Sequence, residues 1–130
     1  AFSAPAGFYF ERANSSIMTK DPKIFLRHIL ESIVQIEQYA GGKDKEEFLA
    51  SPQTQDAVMR RLEIIGEASK NLPAELRDQY AAIPWGEITG MRDVLIHEYF
   101  GVDTELVWRT VQKDLPVFKV HVEKIISSLP

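Results

Sequence analysis

From Asp21 onward the apolar positions fall on helical spacing. Ile24, Phe25, Ile29, Leu30, Ile33, Val34 and Ile36 recur at intervals near the ~3.6 residues of one turn. Asp21 before Pro22 places a capping side chain ahead of a proline at the first helical position, and Gly41-Gly42 marks the stop. A short helix is expected over residues 45–50. Ser51-Pro52 opens a second long helix, with Val58, Leu62, Ile65 and Ala68 on one stripe, ending before Pro73. Another short helix begins at Pro73 and ends before Pro84. Trp85, Gly86, Glu87, Ile88, Thr89 and Gly90 read as a turn-rich approach to the helix bearing Arg92, which Gly101 closes. Asp103-Thr104-Glu105 starts the last helix, expected to run to about Ser127 with a kink at Pro116. No stretch alternates like a strand between hairpin turns, and no repeat is visible. The predicted fold is an all-α antiparallel helical bundle of three long and two or three short helices.

Residues 1–17 break this pattern, being rich in Ala, Ser, Gly and aromatics without helical period. They lack the basic and apolar regions of a secretory signal. We read them as a leader, with Met18 as a candidate native start, or as a flexible arm, ahead of a helical-bundle domain over 18–130; docking of Phe2, Phe8, Tyr9 and Phe10 is the alternative. A chain of 130 residues fits one domain, and 45% hydrophobic with 26% charged residues is the composition of a globular protein with a core. The apolar runs are far shorter than the roughly 20 residues a bilayer span needs, so no membrane partner is expected.

Charge and residue usage narrow the chemistry. The chain has no cysteine, which excludes disulfides and thiolate metal sites and fits a cytoplasmic location. Its three histidines, His28, His97 and His121, are too few for a His-rich metal site. A net charge of −4 argues against non-specific coating of nucleic acid, which depends on Lys and Arg neutralising phosphates. A local basic cleft for RNA remains open.

Residues 91–100 hold the densest candidate chemistry: a permanent cation at Arg92, an imidazole at His97 and a phenol at Tyr99. At about 100° per residue, Arg92 and Tyr99 point the same way, whereas His97 lies about 140° round from Arg92. Arg92 and His97 are therefore not neighbours on one helix, and would meet only across a two-fold interface between copies. Asp93 precedes His97 by four residues, the spacing at which it could orient the imidazole and favour its protonated form. RNA cleavage without metal requires an acid or base and a cation for the phosphoryl oxygens. Alone, one Arg and one His on a helix more often serve structure.

The pattern Arg92-x-x-x-x-His97-x-Tyr99 resembles the signature of the HEPN superfamily, specifically the HepT-like toxins of HEPN–MNT toxin–antitoxin pairs. Residues 60–77, 83–103 and 107–116 resemble HepT-like sequence in order and spacing, and the resemblance covers about Thr19 to Leu129. It implies an all-α homodimer acting as the toxin of a type VII-like pair, an endoribonuclease that needs neither metal nor cofactor. Arg92 would hold the scissile phosphate, and His97 would serve as general acid or base. Tyr99 would be the residue to which a cognate minimal nucleotidyltransferase antitoxin adds AMP, a bulky anion beside the cleft. Many relatives carry Asn after the motif Arg, where this chain has Asp93, which puts catalytic competence in question. The alternative is a non-catalytic, nucleotide-binding or partner-binding helical dimer.

Other candidates carry less. Glu63 and Glu67, one turn apart, have no His at matching spacing and are expected to form a solvated face or salt bridges to Arg60 and Arg61. Gly66 lies mid-helix, where it costs about 1 kcal/mol against Ala, so a close helix–helix approach is its expected reason. Arg60, Arg61, Lys70 and Arg77 offer either an RNA surface or ordinary solvated faces. Trp85 and Trp108 are expected in the core rather than stacked on bases, and His28 and His121 take no role.

Overall fold

The computed structural model describes residues 21–97 and 101–130; the leader expected over 1–17 lies outside them. The helices run α1 (Pro22–Ala40), α2 (Lys45–Leu49), α3 (Pro52–Lys70), α4 (Ala74–Gln79), α5 (Trp85–His97), α6 (Thr104–Arg109) and α7 (Leu115–Ser128), with a π-helical turn over Thr110–Asp114 joining the last two. Among the described residues there is no strand, as the all-α expectation required.

Capping side chains set the starts. Asp21 accepts the Lys23 N–H at 3.0 Å ahead of Pro22. Ser51 accepts the Thr54 N–H at 3.2 Å ahead of Pro52. Asp103 accepts from the N–H groups of Glu105 and Leu106. Asp44 and Glu47 form a reciprocal capping box at α2, for which Asp-x-x-Glu is the sequence signal. Gly42, at φ 78°, turns the chain after α1 in the left-handed region that glycine enters without steric cost.

Two expectations change. The turn-rich approach over residues 85–90 is helix: α5 begins at Trp85 and runs unbroken to His97. Gly86 and Gly90 weaken that helix by about 1 kcal/mol each. Tertiary packing overrides them, because Trp85 is buried and Ile88 packs on the core beneath α3. The Trp85 indole N–H donates to the Tyr80 carbonyl at 3.1 Å and its ring meets Phe118 edge-on, fixing the start of α5. At Pro116, the expected kink takes the form of the preceding π turn. Proline has no N–H for the Gln112 carbonyl and its ring crowds it, and the widened turn, closed by the Leu115 N–H to the Thr110 carbonyl, absorbs the mismatch.

The core lies between α1, α3 and α7. Leu26, Ile29, Ile33 and Ile36 of α1 join Val58, Leu62 and Ile65 of α3 and Val122 and Ile125 of α7, all essentially closed to solvent. Phe48 of α2 completes the α3 side and contacts Trp108 of α6, with centroids 5.3 Å apart. Trp85 is thus a core residue, as expected, whereas Trp108 is partly buried and packs against the core. Lys119 ties α7 to α1 through Glu37 at 2.9 Å, and that hydrogen bond raises the ammonium pKa above its ordinary value.

Candidate active site

The site grows from the crossing of α3 and α5. Gly66 is buried there, and a Cβ at that position would stand 2.6 Å from the Arg92 Cβ and 3.1 Å from the Ile88 carbonyl oxygen. The close approach expected for Gly66 is therefore real, and its partner is the helix segment that carries Arg92. Any side chain at residue 66 would push α5 away, because the atoms it meets are at backbone level.

Arg92 leaves this crossing with its side chain 28% exposed, gripped by two carboxylates. Glu67, the residue after Gly66, places Oε2 2.8 Å from the guanidinium Nε. That oxygen is sealed from solvent and accepts no aligned hydrogen bond, so its contact with Arg92 is an ion pair. Asp93 accepts from Nη1 at 3.1 Å through Oδ1, and its own side chain is 59% exposed. Asn71 braces Glu67 one turn later, its Nδ2 donating to the Glu67 carbonyl at 2.8 Å and lying 3.5 Å from Oε1.

His97 is exposed at the end of α5. Its expected contact with Asp93 is not among the hydrogen bonds and ion pairs of the described residues; the Asp93 carboxylate turns to Arg92. Arg92 and His97 are not brought together within the chain, as the helical angle between them anticipated. Tyr99 lies outside the described residues. Each candidate group shares its face with an exposed apolar residue: Ile96 follows Arg92 by one turn, and Val94, 50% exposed, precedes His97 by one turn.

The remaining candidates fall into place around this centre. Glu63 pairs with Arg60 at 3.2 Å, as expected, but Glu67 reaches across to Arg92 rather than to Arg60 or Arg61. The sequence carries no signal for this pairing of Glu67 with Arg92 across two helices. Lys70 is exposed and unremarkable, and the Arg77 Nε is shielded without a hydrogen-bond partner among the described residues. An open depression lined by Val120, Glu123, Lys124, Ser127 and Ser128 belongs wholly to α7 and contains none of the candidate groups.

Comparison with known proteins gives these residues their context. The family description "Ribonuclease HepT-like" matches residues 29–125. A Methanocaldococcus jannaschii protein named "Gamma-glutamylcyclotransferase and putative RNase" is 54% identical over 112 residues, covering 86% of this chain and 50% of that protein. The chain thus spans only half of that relative. "Probable ribonuclease HepT" of Thermococcus cleftensis is 46% identical over 108 residues, 83% of this chain and 98% of the relative. A "Putative RNase" of Caldanaerobacter subterraneus is 44% identical over the same length, with 96% of its own chain covered. No solved structure matches the chain. With the all-α fold, the Arg92–His97 helix and a family match over most of its length, the chain belongs to the ribonuclease HepT-like family.

Proposed function

We propose that the chain is an endoribonuclease toxin of a type VII-like toxin–antitoxin pair, acting as a homodimer on RNA without metal. The observation that carries the reading is a guanidinium fixed at a helix crossing, on the same helix as an exposed imidazole, in a chain of the ribonuclease HepT-like family. Arg92 holds the scissile phosphate and stabilises the charge that develops on its oxygens. His97 serves as general acid or base while the ribose 2′-oxygen attacks phosphorus. The new O2′–P bond replaces the P–O5′ bond, the proton leaves O2′ for the base, and the departing O5′ takes a proton from the acid. The products are a 2′,3′-cyclic phosphate and a 5′-hydroxyl.

In this dimer a second copy covers the exposed Ile96 beside Arg92 or the exposed Val94 beside His97, the two lying about 200° apart on the helix. A two-fold arrangement brings Arg92 and His97 of two copies into one cleft, which one helix cannot do. The phosphate then competes with exposed Asp93 for Nη1 of Arg92.

Regulation falls on Tyr99. A minimal nucleotidyltransferase partner joins AMP from a nucleoside triphosphate to the phenol oxygen, with pyrophosphate leaving, and the added anion repels RNA from the cleft. Protein produced alone is expected to cleave RNA. Protein produced with its partner is expected to gain AMP mass on Tyr99, read by intact mass and peptide mapping, and to lose that cleavage. Unmodified protein inert on every RNA tried, or modified protein as active as unmodified, contradicts the reading.

A further inference from the structure

We infer that Glu67 is the positioning residue for Arg92: it holds the Nε edge of the guanidinium and so presents the Nη edge to the RNA phosphate. This rests on the reading of Arg92 as the phosphate-holding group. The two carboxylates on Arg92 are not equivalent. Asp93 is 59% exposed, so an incoming phosphate can displace it from Nη1. The Glu67 side chain is 42% exposed, but its contacting oxygen is sealed from solvent, so an incoming phosphate reaches that oxygen less readily than the Asp93 carboxylate.

A guanidinium has five N–H donors in a rigid fork. With Nε turned to Glu67, the Nη1 and Nη2 groups remain for two parallel bonds to a phosphate, the geometry that gives Arg its specificity for such anions. Glu67 is well founded for this role. It follows Gly66 at the closest point of α3 and α5, and Asn71 braces it from the next turn. Its charge works against binding an anion, because two carboxylates on one guanidinium leave the cluster net negative. Removing Glu67 therefore favours RNA binding while it frees Arg92 to wander from the geometry that the transition state needs.

That opposition gives a signature that a purely structural role lacks. Cleavage of a mixed-sequence single-stranded oligoribonucleotide is to be followed for the wild type, Glu67→Ala and Glu67→Gln, together with hydrogen exchange of the Arg92 Nε–H by nuclear magnetic resonance. Glu67→Ala is expected to lower kcat about ten- to hundredfold while KM falls, with faster Nε–H exchange. Glu67→Gln, which keeps the size of the side chain and an oxygen beside Nε but not the charge of the ion pair, is expected to recover part of kcat. Wild-type kcat and KM in Glu67→Ala overturn the inference. So does a loss of kcat that only tracks the folded fraction while Nε–H exchange stays slow. A wild-type protein that cleaves no RNA overturns the reading of the site itself, whereas unchanged Nε–H exchange in Glu67→Ala overturns the positioning role alone.

Discussion

Arg92→Ala and His97→Ala are each expected to lower RNA cleavage by about a thousandfold. The figure follows from what the groups contribute: a positioned acid or base contributes about 10²–10⁴, and one donor to a developing phosphoryl charge about 10²–10³. The two variants should differ in stability. His97 is exposed at the end of α5, so its loss should move the folding free energy by no more than about 0.5 kcal/mol. Arg92 is half-buried, and its removal leaves the sealed Glu67 oxygen without its counter-charge, at a cost of about 1 kcal/mol. Arg92→Lys separates the two effects, keeping a cation there but losing the planar fork. Rates in Arg92→Ala or His97→Ala within threefold of the wild type, in protein shown to be folded, would exclude the assigned roles.

Gly66→Val is expected to be the most damaging substitution of a single small residue. A Cβ at residue 66 would stand 2.6 Å from the Arg92 Cβ, so α3 and α5 must separate. Overpacking of this kind costs about 1–3 kcal/mol. Exchanging glycine for alanine in a helix returns about 1 kcal/mol of propensity, and valine returns less because it is β-branched. The clash therefore wins for valine, with a net loss of about 2 kcal/mol, while alanine at the same place sits closer to balance. Thermal unfolding should show a midpoint several degrees lower for Gly66→Val. The same separation carries Arg92 out of position, so cleavage per folded molecule should fall as well. A midpoint at or above the wild type would mean that the crossing is not the tight contact described.

Much of the fold is legible from local chemistry. Asp21-Pro22, Ser51-Pro52 and Asp103 announce their helices because a side-chain acceptor near a free N–H is a local event. The apolar stripes of α1 and α3 match the buried faces for the same reason: burial follows helical period. What local chemistry could not supply is the balance between weak propensity and tertiary contact. Gly86, Thr89 and Gly90 read as a turn, yet burial of Trp85 and packing of Ile88 against α3 make them helix.

The candidate site is legible in the same uneven way. Arg92 and His97 stand out as residue types, and their angular separation already indicates that one helix does not unite them. Gly66 signals a close approach but not its partner. The ion pair between Glu67 and Arg92 joins residues on two helices, and it depends on the register of α3 against α5, which neither segment encodes by itself. Asp93 illustrates the converse: its spacing to His97 is right, but the neighbouring guanidinium is the stronger attraction for its carboxylate.

The most direct measurement is the end chemistry of RNA incubated with the purified protein in excess chelator. The account predicts undiminished cleavage that leaves 2′,3′-cyclic phosphate and 5′-hydroxyl ends, the products of attack by the neighbouring ribose hydroxyl. Cleavage abolished by the chelator, or products ending in 3′-hydroxyl and 5′-phosphate, would contradict it.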